Sequence, residues 1–93
     1  MRVTHNLKIR PEHFQAVISG EKKAEFRLAD RDFAVGDLLC LNEYGPCEHE
    51  PHLVGFTGAF VYVLVTHITD LNEWVPGYVM LSIQRRQVDV SCR

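Results

Sequence analysis

The sequence predicts an α+β domain: a small, mainly antiparallel β-barrel of about five strands with one main helix packed at one end. Three observations predict this class. A length of 93 residues leaves room for one hydrophobic core and therefore one domain. Short segments in which apolar and polar residues alternate, as in half-buried strands, recur along the chain. One segment near the N-terminus carries helical periodicity instead, and most connections are short.

The first strand is predicted from Arg2 to Ile9, and the helix follows it directly. Apolar residues fall at period two in this strand, with His5 on their side and Lys8 on the other. Proline is well tolerated in the first turn of a helix, and a glycine often follows the last turn. The pattern therefore predicts a helix from Pro11 to Ser19 that ends at Gly20. Its apolar stripe, at i, i+3 and i+4 spacing, consists of Phe14, Val17 and Ile18.

The segment GEKKAEFR, residues 20–27, places five charged residues in eight positions directly after the helix. Apolar and charged residues alternate here, which predicts a half-buried strand. We expect one face of this strand to point to the core and the other to be entirely charged. The two sets are Ala24, Phe26 and Leu28 for the core face, and Lys23, Glu25 and Arg27 for the charged face.

The rest of the chain alternates between strand and turn patterns. Residues 29–33 are a polar connection, and Gly36-Asp37 forms a turn before a strand at residues 38–42. Residues 43–58 contain three glycines and two prolines, which favours a long loop or an irregular hairpin. Residues 59–69 are apolar on both faces for most of their length and predict a central strand. A Pro-Gly turn and a last strand at residues 78–83 follow.

Charge is unevenly distributed along the chain, although its total is only −2. Residues 1–31 hold seven Lys/Arg and four Asp/Glu, whereas residues 32–84 hold seven acids and no Lys or Arg. An acidic total argues against tight, non-specific binding of nucleic acid, which depends on many phosphate contacts. A local basic face in the N-terminal part can still bind one or two phosphates.

The composition also bounds the compartment. The longest apolar run, Ala59 to Val65, is far shorter than the roughly 18 residues of a membrane span, and no secretory signal pattern is visible. We therefore expect no membrane segment and, by default, a cytoplasmic location. An odd number of cysteines without framework spacing predicts free thiols. They are Cys40, Cys47 and Cys92.

The charged segment carries a family resemblance. Its residues Gly20, Lys22, Glu25 and Arg27 match the G-x-K-x-x-E-x-R motif of ASCH domains, which are β-barrels of the PUA-like superfamily. The chain resembles the small stand-alone bacterial and phage members of this group along residues 4–9, 19–27, 30–44 and 76–83. The resemblance implies a PUA-like barrel, a kinship with RNA-binding modules, and a cleft, lined by the motif, that holds a nucleotide or carries out chemistry.

One branch of the ASCH group hydrolyses N4-acetylcytidine, and the resemblance extends to it only in part. In that branch a threonine three positions after the motif lysine acts as the nucleophile. The matching lysine is Lys22, and the position of the threonine is occupied by Glu25. A hydrolase built on this chain would therefore use water as the nucleophile.

The main candidate site consists of four charged residues: Lys22, Lys23, Glu25 and Arg27. Arginine offers a planar fork suited to phosphate or a base edge, lysine a point charge, and a carboxylate can accept from a base amino group. Nearby cations favour the ionised form of Glu25. The alternative is a solvated strand face with weak ion pairs, each worth about 0–1 kcal/mol.

Three further residues are candidates for the same site: His5, Lys8 and Tyr78. The two on the first strand can reach the rim next to the motif, although a histidine on an apolar face is often a packed core residue. Tyr78 begins the last strand, where it can stack an unpaired base, a contact worth about 1–3 kcal/mol, or pack in the core. We expect Trp74 to pack against the end of the barrel. Arg85-Arg86 can extend a phosphate path or serve only for solubility.

A second cluster, Cys47-x-His49-x-x-His52 with Cys40 upstream, contains the ligand types that zinc accepts. Its spacing is not that of a standard zinc finger, and Cys40 falls in a predicted strand. We therefore expect a histidine-rich solvated loop, no metal site and no cofactor.

Two functions follow from these residues. The first is a binding module whose cleft, built on Lys22, Glu25 and Arg27, takes single-stranded RNA or a nucleotide. The second is a small amidohydrolase that acts on an acylated nucleoside such as N4-acetylcytidine, with Lys22 as base or activator and Glu25 activating water. A protein-binding module that uses the acidic loop is a third possibility, and the oligomeric state stays open.

Overall fold

The computed structural model describes residues 2–47 and 49–86, so the prediction for Cys92 lies outside the described residues. These residues form five strands and one helix, in agreement with the predicted α+β class. In chain order the elements are β1 (Thr4–Ile9), α1 (Pro11–Ile18), β2 (Ala24–Leu28), β3 (Leu38–Pro46), β4 (Val54–Asp70) and β5 (Tyr78–Arg86).

The strands form a single curled sheet, a half-barrel, in the order β1-β3-β4-β5-β2. β1 runs parallel to β3, and the other neighbouring strands are antiparallel. β1 and β2 are therefore the two edges of the sheet. The curl brings these two edges close to each other. A hydrogen bond from the side chain of Arg27 in β2 to the backbone carbonyl of Lys8 in β1 connects them.

Helix α1 begins and ends close to the predicted residues. Pro11 occupies the first helical turn, and Gly20 adopts a φ of 85°, a left-handed conformation that glycine reaches without steric cost. The first turn of the helix packs tightly on β3, since a Cβ at Gly45 would lie 2.5 Å from Cγ of Pro11. The start of the helix is thereby fixed beside the end of β1.

The core lies on the concave side of the sheet, between the strands and α1. On β1 the inward residues are His5, Leu7 and Ile9, as the alternation predicts. The central strand β4 contributes three buried valines, and its neighbours contribute leucines and isoleucine. The buried cluster is Leu7, Ile9, Phe14, Val17, Leu39, Leu41, Val61, Val63, Val65, Leu81 and Ile83.

Strand β2 has the predicted position, but the prediction of its faces was wrong. Glu25 is 5% exposed, whereas Phe26 is 52% and Leu28 49% exposed. Glu25 pairs with the fully buried Leu81 of β5, so it must point to the concave side. Alternation shows which residues share a face, but the register against the neighbouring strand decides which face is inward.

Of the two alternatives predicted for segment 43–58, the structure shows the irregular hairpin and not the long loop. β3 continues to Pro46 and β4 begins at Val54, so most of this segment lies in paired strands. The glycines that suggested a loop are accommodated in the ladder, where Gly45 pairs directly with Gly55. A register shift between Asn42 and Tyr44 gives the hairpin its irregularity.

The central strand predicted at residues 59–69 is confirmed as part of the 17-residue β4. The prediction for Trp74 was wrong, because this side chain is 68% exposed in the turn before β5 and does not close the barrel. The described residues contain no helix long and apolar enough to cross a membrane.

Candidate functional site

A cleft of about 390 Å³ opens where the end of β1, the start of α1 and strand β2 meet. Three of the four charged residues that were predicted as the main site, Lys22, Glu25 and Arg27, line it together. Lys8 lines it from β1, also as predicted. The structure thus brings these four residues into one concave surface, which we call the charged cleft.

Glu25 and Arg27 form an ion pair on the wall of the cleft. The Nε and Nη2 atoms of Arg27 both lie 2.7 Å from Oε2 of Glu25. The side chain of Glu25 is only 6% exposed and that of Arg27 24%. A carboxylate can stay this deeply buried because charge-assisted hydrogen bonds from the guanidinium compensate for its lost hydration.

The same guanidinium joins the two edges of the sheet through its hydrogen bond to the Lys8 carbonyl. Arg27 therefore determines the shape of the charged cleft as well as its charge. Its three contacts also fix the orientation of the Glu25 carboxylate. Both contacts to that carboxylate use Oε2, and Oε1 accepts no hydrogen bond from the described side chains.

The charged cleft is also lined by four residues that the sequence did not predict as a site: Ile9, Arg10, His13 and Phe26. Arg10 and His13 come from the residue before α1 and from its first turn. The sequence signal that could have indicated Arg10 and His13 was Pro11. It starts the helix directly after β1, so the first helical turn stays beside the end of that strand. Phe26 was missed because it had been placed in the core.

The balance of charge in the cleft is positive. Four cationic side chains line it against the single carboxylate of Glu25: those of Lys8, Arg10, Lys22 and Arg27. Arg10 also pairs with Glu12 at 3.1 Å, but both side chains are well exposed and such pairs contribute little. The cleft is therefore suited to an anion, in a chain whose total charge is negative.

Lys22 and Lys23 share one surface, but only Lys22 also reaches the charged cleft. Lys22 lines the charged cleft and also a second cleft of about 280 Å³, to which Lys23, Ile83 and Arg85 contribute. In that second cleft Arg85 is engaged by the helix, since its Nη1 donates to the carbonyl of Ile18 at 2.8 Å. Lys23 is absent from the lining of the charged cleft, so only one of the two lysines is placed with Glu25 and Arg27.

The ammonium of Lys8 extends from the cleft toward an aromatic pair on the hairpin. It lies 4.4 Å from the centre of the Tyr44 ring and 5.8 Å from that of Phe56. The two rings meet edge to face, with centroids 5.0 Å apart. Lys8 thus makes a cation–π contact while its strand borders the cleft.

His5, which was also predicted as a site residue, lies elsewhere. Its Nε2 is 2.9 Å from Oδ2 of Asp37, and its ring packs 4.9 Å from that of Phe33. Burial of the Asp37 carboxylate tends to raise its pKa, but hydrogen bonds from His5 and from the backbone N–H groups of Val3 and Ala34 lower that pKa below 3.8. The structure thus makes His5 one of three donors to a buried aspartate.

Tyr78 borders the charged cleft only through a neighbour. Its ring lies 5.0 Å from that of Phe26, inclined at 30°, and Phe26 in turn lines the cleft. Tyr78 itself is part-buried at the start of β5, opposite Leu28. An aromatic surface is therefore present at this rim, with Phe26 as its nearer member.

The cysteine and histidine residues of the hairpin loop do not converge. Cys47 is exposed, whereas Cys40 is buried in β3. His52 pairs with Glu50, with Nε2 3.2 Å from Oε1. Within residues 2–47 and 49–86, no three side chains of ligand type come together as a metal site would need.

Comparisons with known proteins are consistent with this small β-rich fold. Residues 4–83 match the family described as Domain of unknown function (DUF3850). The chain is 38% identical over 82 residues to the "Uncharacterized 12.9 kDa protein in GpA 3'region" of Escherichia phage P2. The matched region covers 87% of this chain and 68% of the phage protein. Among solved structures, hypothetical protein PH0355 superposes with a TM-score of 0.59 over 92% of this chain and all of its own, at 15% identity. That likeness concerns the fold alone.

Proposed function

The chain belongs to the DUF3850 family of domains of unknown function, and we propose that it is a binding module for single-stranded RNA or a nucleotide. The ligand is held in the charged cleft. In the same proposal the half-barrel is a PUA-like barrel of the ASCH type. This assignment is supported by the G-x-K-x-x-E-x-R motif, whose lysine, glutamate and arginine all line the cleft.

The observation that carries the proposal is the combination of cations, one oriented carboxylate and one aromatic ring in a single cleft. Lys22, Lys8 and Arg10 provide positive charge for a phosphate. Oε1 of Glu25 is positioned to accept from the amino group of a base, since Arg27 holds the other oxygen. Phe26 is half exposed at the rim and can stack on a base or sugar. Each chemical part of a nucleotide thus has a matching group.

The size of the cleft fits this ligand class. Its volume of about 390 Å³ falls within the range of roughly 300–1,000 Å³ that is usual for small-molecule sites. The acidic middle of the chain repels a long polyanion, so binding should be local, of modest affinity and dependent on salt.

Hydrolysis of an acylated nucleoside is the alternative proposal, and the shared cleft of Lys22 and Glu25 is the observation that favours it. In such a reaction, water activated by Glu25 attacks the acyl carbonyl, and the carbon–nitrogen bond breaks to give an acid and the amine. Incubation with N4-acetylcytidine, followed by chromatography, tests it. An unchanged substrate peak at high enzyme concentration would exclude this reaction.

A titration of nucleotides and short RNA and DNA oligomers at two salt concentrations tests the binding proposal. Lys22→Ala is expected to weaken binding and to lower the slope of log affinity against log salt by about 1. Lys23→Ala is the matched control, because the neighbouring lysine does not line the charged cleft; it should have the smaller effect. The absence of binding at low salt, or equal affinities for wild type and Lys22→Ala, would refute the proposal.

A further inference from the structure

Two aromatic rings of the long hairpin, the part-buried Tyr44 and the exposed Phe56, lie together next to the charged cleft. Tyr44 of β3 and Phe56 of β4 meet edge to face, with ring centroids 5.0 Å apart at an angle of 76°. Phe56 is 61% exposed. We call this pair the Tyr44–Phe56 platform. Large apolar side chains on an open strand face favour aggregation, so their retention calls for an explanation.

The platform is continuous with the charged cleft through two cations. Lys8 lines the cleft and places its ammonium 4.4 Å from the Tyr44 ring centre. Arg10 lines both the cleft and an adjacent cavity of about 640 Å³, to which Tyr44 contributes. A ligand that leaves the cleft in this direction therefore meets Lys8 and Arg10 on the way to the aromatic rings, although the Glu12 carboxylate, which pairs with Arg10, lines the same cavity.

Beyond Phe56 lies a shallow pocket of about 300 Å³ with polar groups of the kind that pair with base edges. It is lined by Asn6, Asn42 and Glu43, together with the small residues Gly58 and Ala59. Glu43 is held in place by a hydrogen bond from the Thr57 hydroxyl to its Oε1 at 2.7 Å. The side-chain nitrogen of Asn42 already donates to the backbone carbonyls of Leu7 and Cys40, so Asn6 and Glu43 are the main groups left for pairing. A ring for stacking, these polar groups and adjacent cations are the features of a base-binding surface.

We propose that the ligand is a single-stranded oligonucleotide whose backbone passes Lys8 and Arg10 and which stacks an unpaired base on the Tyr44–Phe56 platform. This inference rests on the proposed function of the charged cleft, and it specifies the ligand class as a strand of several nucleotides rather than a free nucleotide. The alternating arrangement of cation and aromatic ring, and not apolar area alone, selects this occupant.

The experiment compares affinities for a mononucleotide and for RNA and DNA strands of about four and eight nucleotides, the lower part of the site sizes of small single-strand-binding barrels. The proteins are wild type, Lys22→Ala, Phe56→Ala, Phe56→Leu and Phe60→Leu. Phe56→Leu retains apolar volume without an aromatic face. Phe60, 55% exposed on the same strand, is the matched control because it pairs with Tyr62 rather than with Lys8. Thermal unfolding checks that each variant is folded.

In wild type, affinity should rise with strand length by roughly 5- to 150-fold, the equivalent of one base stack. Both variants at Phe56 should lose this gain and keep the affinity for the mononucleotide, while Phe60→Leu should resemble wild type.

Mononucleotide binding without a gain from length would overturn the platform and leave the charged cleft intact. Equal losses in Phe56→Leu and Phe60→Leu would also overturn it, since a general apolar surface would then explain the binding. If no ligand binds at low salt, the function of the cleft and the platform are both refuted. A length gain that depends on Phe56 but not on Lys22 would support the platform and refute the cleft.

Discussion

Replacing Arg27 with alanine is expected to lower the free energy of unfolding by about 2–4 kcal/mol. The guanidinium donates a hydrogen bond from Nε to Oε2 of Glu25 at 2.7 Å, holds Nη2 2.7 Å from the same oxygen as an ion pair, and donates from Nη2 to the Lys8 carbonyl. A hydrogen bond to a charged group contributes about 1.5–3 kcal/mol net. The expected loss stays below the sum of three such contacts because two of them share one oxygen and the Arg27 side chain is 24% exposed to water.

A double-mutant cycle separates the ion pair from the loss of side-chain packing. In wild type, Arg27→Ala leaves a buried carboxylate without its partner, whereas in a Glu25→Gln background the neutral amide carries no such penalty. Denaturant unfolding followed by circular dichroism should therefore give a coupling free energy of about 2 kcal/mol. Arg10→Ala is the control, because its pair with Glu12 is exposed and its loss should change stability by less than about 0.5 kcal/mol. Effects of Glu25→Gln and Arg27→Ala that simply add would refute this account of the buried pair.

Two other substitutions test the packing that supports the site. Gly45→Ala would place a Cβ 2.5 Å from Cγ of Pro11 and should lower the free energy of unfolding by about 1–3 kcal/mol, as measured by thermal unfolding. Gly55→Ala is the control, because no heavy atom lies within 4 Å of its Cβ. Equal effects of the two substitutions would contradict the steric argument. Asp37 has a pKa below 3.8 in the folded protein, so its contribution to stability is complete above that value and is lost as the pH falls through the lowered pKa. Asp37→Asn weakens the contact to His5 and should therefore lower the free energy of unfolding at pH 7 by about 2 kcal/mol. It should also reduce the loss of stability that wild type shows as the pH falls, as measured by denaturant unfolding across pH. A variant as stable as wild type at pH 7 would contradict this prediction.

The elements of the fold could be predicted because each is a local pattern. Period-two alternation identified β1 and β2, and the proline, apolar stripe and glycine identified α1 to within one residue. The inward face of β2 could not be predicted in the same way. Phe26 is more apolar than Glu25, so the sequence favours the wrong face. The pairing with Leu81 places Glu25 on the concave face, and the contacts from Arg27 stabilise its carboxylate in that buried position.

The length of the paired strands in the hairpin of β3 and β4 was underestimated for a related reason. Glycine and proline weaken strands when they are considered one at a time. In the structure Gly45 pairs with Gly55, and Pro46 ends its strand, so neither disrupts the ladder. Because this stretch was predicted only as a long loop or an irregular hairpin, without strand bounds or register, Tyr44 and Phe56 were not recognised as a surface. Prediction of a site from sequence fails most readily where two distant segments must pair before their side chains meet.

The motif located the charged cleft, but the structure divides its residues into two roles. Arg27 uses its Nε and Nη2 atoms on Glu25 and on the Lys8 carbonyl, so these donors hold the cleft together. Lys22 lines the same cleft and makes no side-chain hydrogen bond or ion pair with another described residue. The binding proposal therefore assigns the phosphate first to Lys22, Lys8 and Arg10, and gives Arg27 the role of building the cleft. On this reasoning, substitution of Arg27 reduces stability and binding together, because the edges of the sheet separate. Substitution of Lys22 reduces binding alone, and this difference distinguishes a residue that builds the cleft from one that uses it.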